Sequence, residues 1–377
     1  MVEPSADRAG RRRHPASPLP GRHRQDVGVT DKRVRWALVG YGSGGRTFHA
    51  PLLAAADGVE LIAVVTGNAD RRAQVTAELP GVQVVPDLAA LAKLGVEAVT
   101  ISTPPATHTA LAHRALDLGL NVVVDKPFAL TAASAADLVA YAYRAELLVV
   151  PYQNRRWDSD FLTVSRLVTE GTLGPVHRFI SRIDRFRPVK PGWPGSPADG
   201  GGTLLDLGPH LIDQALSLFG PVARLHAQVR AVRQGAEADD EIELHLEHAA
   251  GVFTTLAAGM ASAAAGPRFQ VAGSLGGFLI DGFDGQEARL KAGESPATLG
   301  SRWGVEPASA FGNLTTARGA VPVPSERGRW DSFYPAVASA VRSGGSAPID
   351  PADAISTATV LDAARISAVE HRVIELC

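Results

Sequence analysis

A chain of 377 residues with 45% apolar side chains is long enough for two buried cores, because single cores stop growing near ~250 residues. A formal net charge of -2 and a pI near 6.6 give no basic field over the molecule, which excludes nucleic acid and anionic membrane as expected partners and favours a small molecule. The single cysteine, Cys377, excludes an intrachain disulfide or a cysteine-rich metal site and fits a reducing, cytoplasmic compartment.

Residues 1–30 carry Arg11-Arg12-Arg13, prolines at 15, 18 and 20 and almost no apolar pattern, which reads as a disordered extension. The arginines do not open a twin-arginine export signal, because Pro-Leu-Pro-Gly stands where such a signal needs about 7–15 apolar residues. A start further along, near Val27 or Thr30, accounts for the segment equally well. No stretch approaches the ~18 uninterrupted apolar residues of a membrane span.

From Val34 short apolar strands alternate with helical segments. Strands are predicted at Val34–Val39, Leu61–Val65, Gln83–Val85, Ala98–Ser102, Val122–Val124 and Leu147–Val150. Helices are predicted through Phe48–Ala56, Arg71–Leu79, Leu88–Leu94, Thr109–Leu118 and Thr131–Ala145. Strands that are apolar throughout and separated by helices imply a parallel sheet covered on both faces. Residues 31–151 therefore read as a doubly wound Rossmann domain of the α/β class.

Beyond Pro151 the rhythm changes to period-two alternation at Val176–Arg187, Arg224–Val232, Asp240–Leu246, Val252–Ala258 and Phe269–Ala272. This predicts, for residues 152–377, an α+β domain with a large, mostly antiparallel open sheet, one face free for association. Helices at Phe161–Glu170 and Asp206–Phe219 cover the other face. Leu290–Arg329, rich in Gly, Pro, Ser and Ala, reads as a long loop, and helices at Phe333–Arg342 and Pro351–Arg372 close the chain.

Gly40-Tyr41-Gly42-Ser43-Gly44-Gly45 follows the first strand. Gly40 permits the tight turn, Gly42 the approach of a pyrophosphate, and Gly45 close packing of helix on strand. At the end of the second strand, where NAD-selective sites place an acid, stands Thr66, with Arg71 and Arg72 shortly after. An uncharged Thr66 and an arginine able to pair with a 2′-phosphate favour NADP over NAD.

Asp125-Lys126-Pro127 ends the fifth strand, on the side of an open parallel sheet where ligands bind. Lys126 is placed to reach a reacting hydroxyl, and Pro127 holds the residue before it in extended geometry. In the second half, Asp206 and His210 are four apart, so on one helix they share a face and the carboxylate can orient the imidazole for proton abstraction. Pro209 between them either starts a helix or kinks one. Zinc is poorly supported, since one His and one Asp are too few ligands. In Tyr152–Asp158, the polar residues Asn154, Arg156 and Asp158 suit a polyhydroxylated substrate, with Trp157 as an apolar wall. A salt-bridge cluster at the domain junction is the competing reading of those charges.

Taken together these residues resemble the glucose–fructose oxidoreductase / inositol dehydrogenase (Gfo/Idh/MocA) family from Val34 to the last helix. The resemblance is carried by Gly40–Gly45 with Thr47-Phe48-His49-Ala50-Pro51-Leu52, by Ser102-Thr103-Pro104-Pro105-Ala106-Thr107-His108, by Asp125-Lys126-Pro127, by Tyr152–Asp158 and by Gly201–Asp213. The Phe48–Leu52 and Asn154–Asp158 segments are most similar to the NADP-dependent scyllo-inositol dehydrogenase branch. Asp125 stands where the family more often has Glu.

The resemblance implies a catalytic trio of Lys126, Asp206 and His210, with nicotinamide contacts from the loop that carries Ser102, Thr103, Pro104 and His108. With Gly40–Gly45, Thr66, Arg71, Asp125 and Lys126 these make up the expected cofactor side. It also implies a homodimer or homotetramer built through the open sheet. The expected activity is NADP-linked oxidation of a secondary hydroxyl on a cyclic polyol or sugar. Alternatives are an aldose, sugar phosphate or dihydrodiol as substrate, and a sensor of nucleotide or sugar that performs no chemistry.

Overall fold

The computed structural model describes residues 32–189 and 200–376. The expectation for residues 1–30 and the reading of Cys377 lie outside the described residues.

Strand β1 (Val34–Val39) is apolar on both faces, and Val34, Trp36, Ala37 and Leu38 are completely buried, as a central parallel strand requires. The chain crosses Gly40–Gly45 into a π-helical turn (Gly45–His49) that continues as α1 (Ala50–Ala54), with Pro51 in the first turn where no amide is needed. There follow β2 (Val59–Val65), α2 (Ala69–Glu78), β3 (Gln83–Val85), β4 (Ala98–Ile101), α3 (His108–Asp117), β5 (Asn121–Val124), α4 (Ala132–Arg144) and β6 (Val149–Pro151). Asn68 and Thr131 start α2 and α4 by accepting backbone amides of Arg71 and Ser134. The helix expected around Leu88–Leu94 is a short 3-10 turn, Ala89–Lys93.

These six strands form a wholly parallel sheet in the order β3-β2-β1-β4-β5-β6. The strand order reverses between β1 and β4, which opens a crevice beyond their carboxyl ends. The doubly wound arrangement expected from the sequence is the one observed.

The second half begins with α5 (Ser159–Thr169) and β7 (Val176–Asp184), then α6 (Thr203–Asp206) and α7 (Gly208–Phe219). It continues through β8 (Val222–Arg230), β9 (Glu241–His248), β10 (Phe253–Gly259), β11 (Phe269–Gly273), β12 (Gly276–Ile280), α8 (Gln286–Lys291), α9 (Pro296–Leu299), β13 (Gly312–Thr316) and β14 (Gly319–Val323). Helices α10 (Phe333–Ser343) and α11 (Pro351–Glu370) and strand β15 (Ile374–Glu375) close it. The sheet order is β14-β13-β12-β11-β7-β10-β9-β8-β15, antiparallel except where β7 meets β10. Along β9 Ile242, Leu244 and Leu246 point into the core with Phe161, Leu211 and Leu361 of the covering helices, while Glu243 and His245 face outward.

Leu290–Arg329 is not the long loop that its composition suggested. It holds α9 and the β13–β14 hairpin, which extends the sheet edge by pairing with β12. Glycines and Pro322 give these strands little intrinsic preference, and pairing supplies what propensity lacks. Pro322 is tolerated because β14 is an edge strand. The helix α10 returns to the first sheet, where Phe333, Tyr334 and Val337 pack with Trp36, Leu38 and Val64. Among the described residues no helix is long and apolar enough to cross a membrane.

Candidate active site

The turn after β1 is built on close backbone approach. Gly40 has φ +96°, and a Cβ there would stand 2.3 Å from the Ser102 carbonyl oxygen. A Cβ on Gly45 would stand 2.2 Å from the Gly40 carbonyl oxygen, so the helical segment starts directly against the strand end. Tyr41 is buried and donates through its hydroxyl to Glu78 (2.9 Å), which also accepts from Arg46 Nε (2.8 Å). Ser43 is exposed at the tip. The result is a cradle of backbone at the amino end of a helical segment, which fits the pyrophosphate of a dinucleotide.

Gly42 faces only the Arg71 guanidinium, 3.7–3.9 Å from where its Cβ would be. That guanidinium makes no hydrogen bond or ion pair among the described residues, while its backbone amide donates to Asn68 Oδ1 (2.9 Å). Thr66 is buried at the end of β2, and its hydroxyl accepts from the Asn68 amide at 3.3 Å. The flank of the cradle thus offers a free cation and no carboxylate at the position expected to meet the adenosine ribose.

The loops after β4 and β5 are tied together under this cradle. Ser102 Oγ donates to Asp125 Oδ2 (2.9 Å), and the Lys126 amide donates to Asp125 Oδ1 (2.8 Å). Burial raises the Asp125 carboxyl, but His49 foremost, then Lys126 and His108, hold it well below the usual carboxylate range. His108, expected to touch the cofactor, is instead buried with both ring nitrogens against carbonyl oxygens, Pro127 at 2.8 Å and Thr103 at 2.9 Å. It braces one loop against the other. Thr103 Oγ1 is taken by Thr107 Oγ1 (2.7 Å), and Pro104 leads into the short turn Pro105–Thr107.

Lys126 reaches from the first half of the chain to the second. Its ammonium donates to the Asp206 carbonyl oxygen (2.9 Å) and pairs with the Asp206 carboxylate. This corrects the expectation that Asp206 orients His210. Leu207 interrupts the helix between α6 and α7, and Pro209, which has no amide to donate, sits in the first turn of a new helix. No hydrogen bond joins Asp206 to His210 among the described residues, and the carboxylate takes the nearby ammonium.

His210 is buried, and its Nδ1 has no hydrogen-bond partner among the described residues. Burial pushes its pKa well below the ordinary histidine range, and the cations Arg155, Lys126, Arg268 and Arg185 push it the same way. At neutral pH the imidazole is therefore uncharged, with a lone pair free to accept.

Of the residues expected on the substrate side, two are engaged with the protein. Arg156 forks onto Asp213 (2.8 and 2.7 Å) and also reaches Asp353 (2.8 Å), joining α7 to α11. Asp158 has no exposed surface and accepts from Arg155 Nη1 (3.1 Å) and Trp330 Nε1 (2.8 Å). A buried carboxylate left without such donors would be strongly destabilising, which is why both are so occupied. The competing reading, a salt-bridge cluster at the junction, describes these two charges. Asn154 makes no side-chain hydrogen bond among the described residues, and Trp157 stands edge-on to Phe333 at 5.7 Å. The sequence reading passed over Arg155, which binds Glu287 (2.6 Å) as well as Asp158, and gave no role to His49 or Tyr334. The Phe48–Leu52 run was the available signal for His49. Nothing local pointed to Tyr334, 285 residues away.

Comparison with known proteins follows the same division of the chain. Residues 34–153 match the model described as "Oxidoreductase family, NAD-binding Rossmann fold", and residues 161–279 match the GFO/IDH/MocA C-terminal domain. The scyllo-inositol 2-dehydrogenase (NADP(+)) of Bacillus subtilis (strain 168) is 33% identical over 364 residues, covering 95% of this chain and 98% of the relative. The D-apiose dehydrogenase of Paraburkholderia graminis is 27% identical, covering 92% and 91%. Among solved structures, the oxidoreductase yvaA of Bacillus subtilis superposes with a TM-score of 0.87 at 32% identity, covering 92% and 99%.

Proposed function

Because this chain belongs to the Gfo/Idh/MocA family of oxidoreductases and is a nicotinamide-dependent dehydrogenase, we propose that it interconverts a secondary hydroxyl and a ketone on a cyclic polyol or sugar, with NADP as preferred coenzyme. The observation that carries the reading is that the Lys126 ammonium of the first half bonds Asp206 of the second, four residues before an uncharged imidazole, His210, whose pKa Lys126 helps to depress. The names of the similar proteins, an inositol and an apiose dehydrogenase, support a polyol or sugar substrate.

The nicotinamide, when bound, takes or gives the hydride. Every other task falls to side chains of this chain. His210 accepts the hydroxyl proton on its uncharged imidazole ring. Lys126, aimed by Asp206, donates to the same oxygen and stabilises the negative charge that develops there. In the reverse direction the same groups reduce a ketone. Gly40–Gly45 would hold the pyrophosphate, and Arg71 supports NADP because it offers, beside Gly42, a guanidinium that is unpaired among the described residues and could meet a 2′-phosphate. Asn154 and Trp157 remain the substrate-side residues of this proposal. The outward face of the nine-stranded sheet, where Phe253 and Leu279 are exposed, supports self-association as a homodimer or homotetramer.

The test is coenzyme reduction by the purified protein across a panel of inositols and aldoses, with NADP and NAD side by side. Turnover with a cyclic polyol or sugar, faster with NADP, is the expected result. Absence of reduction of either coenzyme across the panel would end the proposal.

A further inference from the structure

The run Phe48-His49-Ala50-Pro51-Leu52 takes no part in the reaction above, yet its histidine is completely buried between two polar partners. His49 Nε2 lies 3.0 Å from Asp125 Oδ2, and Nδ1 lies 2.6 Å from the Tyr334 hydroxyl. That hydroxyl is 3.2 Å from Thr100 Oγ1, which in turn accepts from Trp36 Nε1 at 2.9 Å. An indole N–H only donates and a carboxylate only accepts, which fixes the two ends of the series. Trp36 donates to Thr100, the Tyr334 hydroxyl bridges Thr100 and His49 Nδ1, and His49 Nε2 makes an ion-pair contact with Asp125.

The chain of bonds ends on the carboxylate that matters most to the site. Besides facing His49, Asp125 accepts from Ser102 Oγ and from the amide of Lys126. A Cβ on Gly44 would stand 2.6 Å from Ser102 Oγ and 3.2 Å from Asp125 Oδ2, so the glycine turn rests on this pair. We infer that His49, aimed by the Tyr334 hydroxyl, is a positioning residue that fixes the Asp125 carboxylate as the platform for both the glycine turn and the peptide carrying Lys126. A helix near the C-terminus thereby helps to shape the coenzyme cradle. The inference rests on the dehydrogenase reading for what the cradle holds.

Isothermal titration of NADPH and NADH into the wild type, His49→Leu, His49→Gln and Tyr334→Phe tests it without any substrate, with melting temperature measured alongside. His49→Leu removes the donor to Asp125 and should weaken coenzyme binding by about tenfold or more, the range for a hydrogen bond to a charged group. His49→Gln keeps an N–H donor and should stay within about threefold of wild type, a rescue that loss of packing alone would not show. Equal weakening in His49→Leu and His49→Gln would overturn the inference, as would His49→Leu binding like the wild type. If His49→Leu does not fold, Tyr334→Phe carries the test, since it keeps the ring against Trp36 and Phe333 and removes one oxygen. A loss of about threefold is expected there, and unchanged affinity would overturn the inference. A wild type that binds neither coenzyme would instead bring down the dehydrogenase reading itself.

Discussion

In the six-stranded half, the residues facing the cleft leave from the carboxyl ends of adjacent strands, with Gly40–Gly45 after β1, Ser102 after β4 and Lys126 after β5. In the nine-stranded half, Asp206 and His210 come from the break between two helices, and the sheet behind them serves as support. The first arrangement depends on strand register and on backbones that approach within a Cβ of each other. The second depends on charges that find partners far away in the chain. Damage to the first should therefore appear as lost coenzyme affinity, and damage to the second as lost turnover or lost stability.

The largest expected effect lies where the two halves meet. Lys126→Ala and His210→Ala should each lower kcat by about 10²–10⁴-fold, the usual worth of a positioned proton-transfer or charge-stabilising group, while coenzyme affinity measured by titration changes little. Lost affinity with full turnover would break the comparison.

Arg156→Ala should act on stability alone. It strands Asp213, whose burial already raises its carboxyl, and should cost about 3–5 kcal/mol in urea unfolding with KM for the substrate unchanged. A raised KM without destabilisation would return Arg156 to the substrate side. A smaller, more selective effect is expected at the coenzyme flank, where Arg71→Ala should weaken NADP by about tenfold and leave NAD nearly unaffected in the same titration.

The mildest prediction concerns pH. Because burial, and then Arg155 and Lys126, depress the folded pKa of His210 below 6.5, the base form persists below that value. The kcat/KM for oxidation should show no loss from this group between pH 8 and its ordinary pKa of 6.5, and should fall only at lower pH. On the stability side, the unfolded chain takes up the proton first as pH falls. His210 therefore contributes stability above pH 6.5 that is lost below it, which the melting temperature across pH reports. A kcat/KM that drops through pH 6.5 would show a histidine with an unperturbed or raised pKa.

The same difference between the halves decided what was legible in the sequence. Gly40–Gly45 and Lys126 were readable because strand, turn and helix succeed one another locally, and the chemistry of a glycine turn is a matter of neighbouring residues. The Asp206–His210 pairing was misread because spacing of four implies a shared face only on an unbroken helix, and the competing ammonium lay 80 residues away. Arg156 and Asp158 looked like polar ligands for the same reason, since their partners Asp213, Asp353 and Trp330 are distant in the chain. The strands β12 to β14 escaped notice because Gly276-Gly277, Gly312, Gly319 and Pro322 have no strand signal of their own until an edge offers its hydrogen bonds.

The most direct test of the central claim is a double-mutant cycle in kcat between Lys126→Ala and His210→Ala. If the ammonium and the imidazole act on one oxygen in one transition state, removing the second after the first should cost far less than it does in the wild type. Losses that multiply independently, or full turnover in either single variant, would contradict the account.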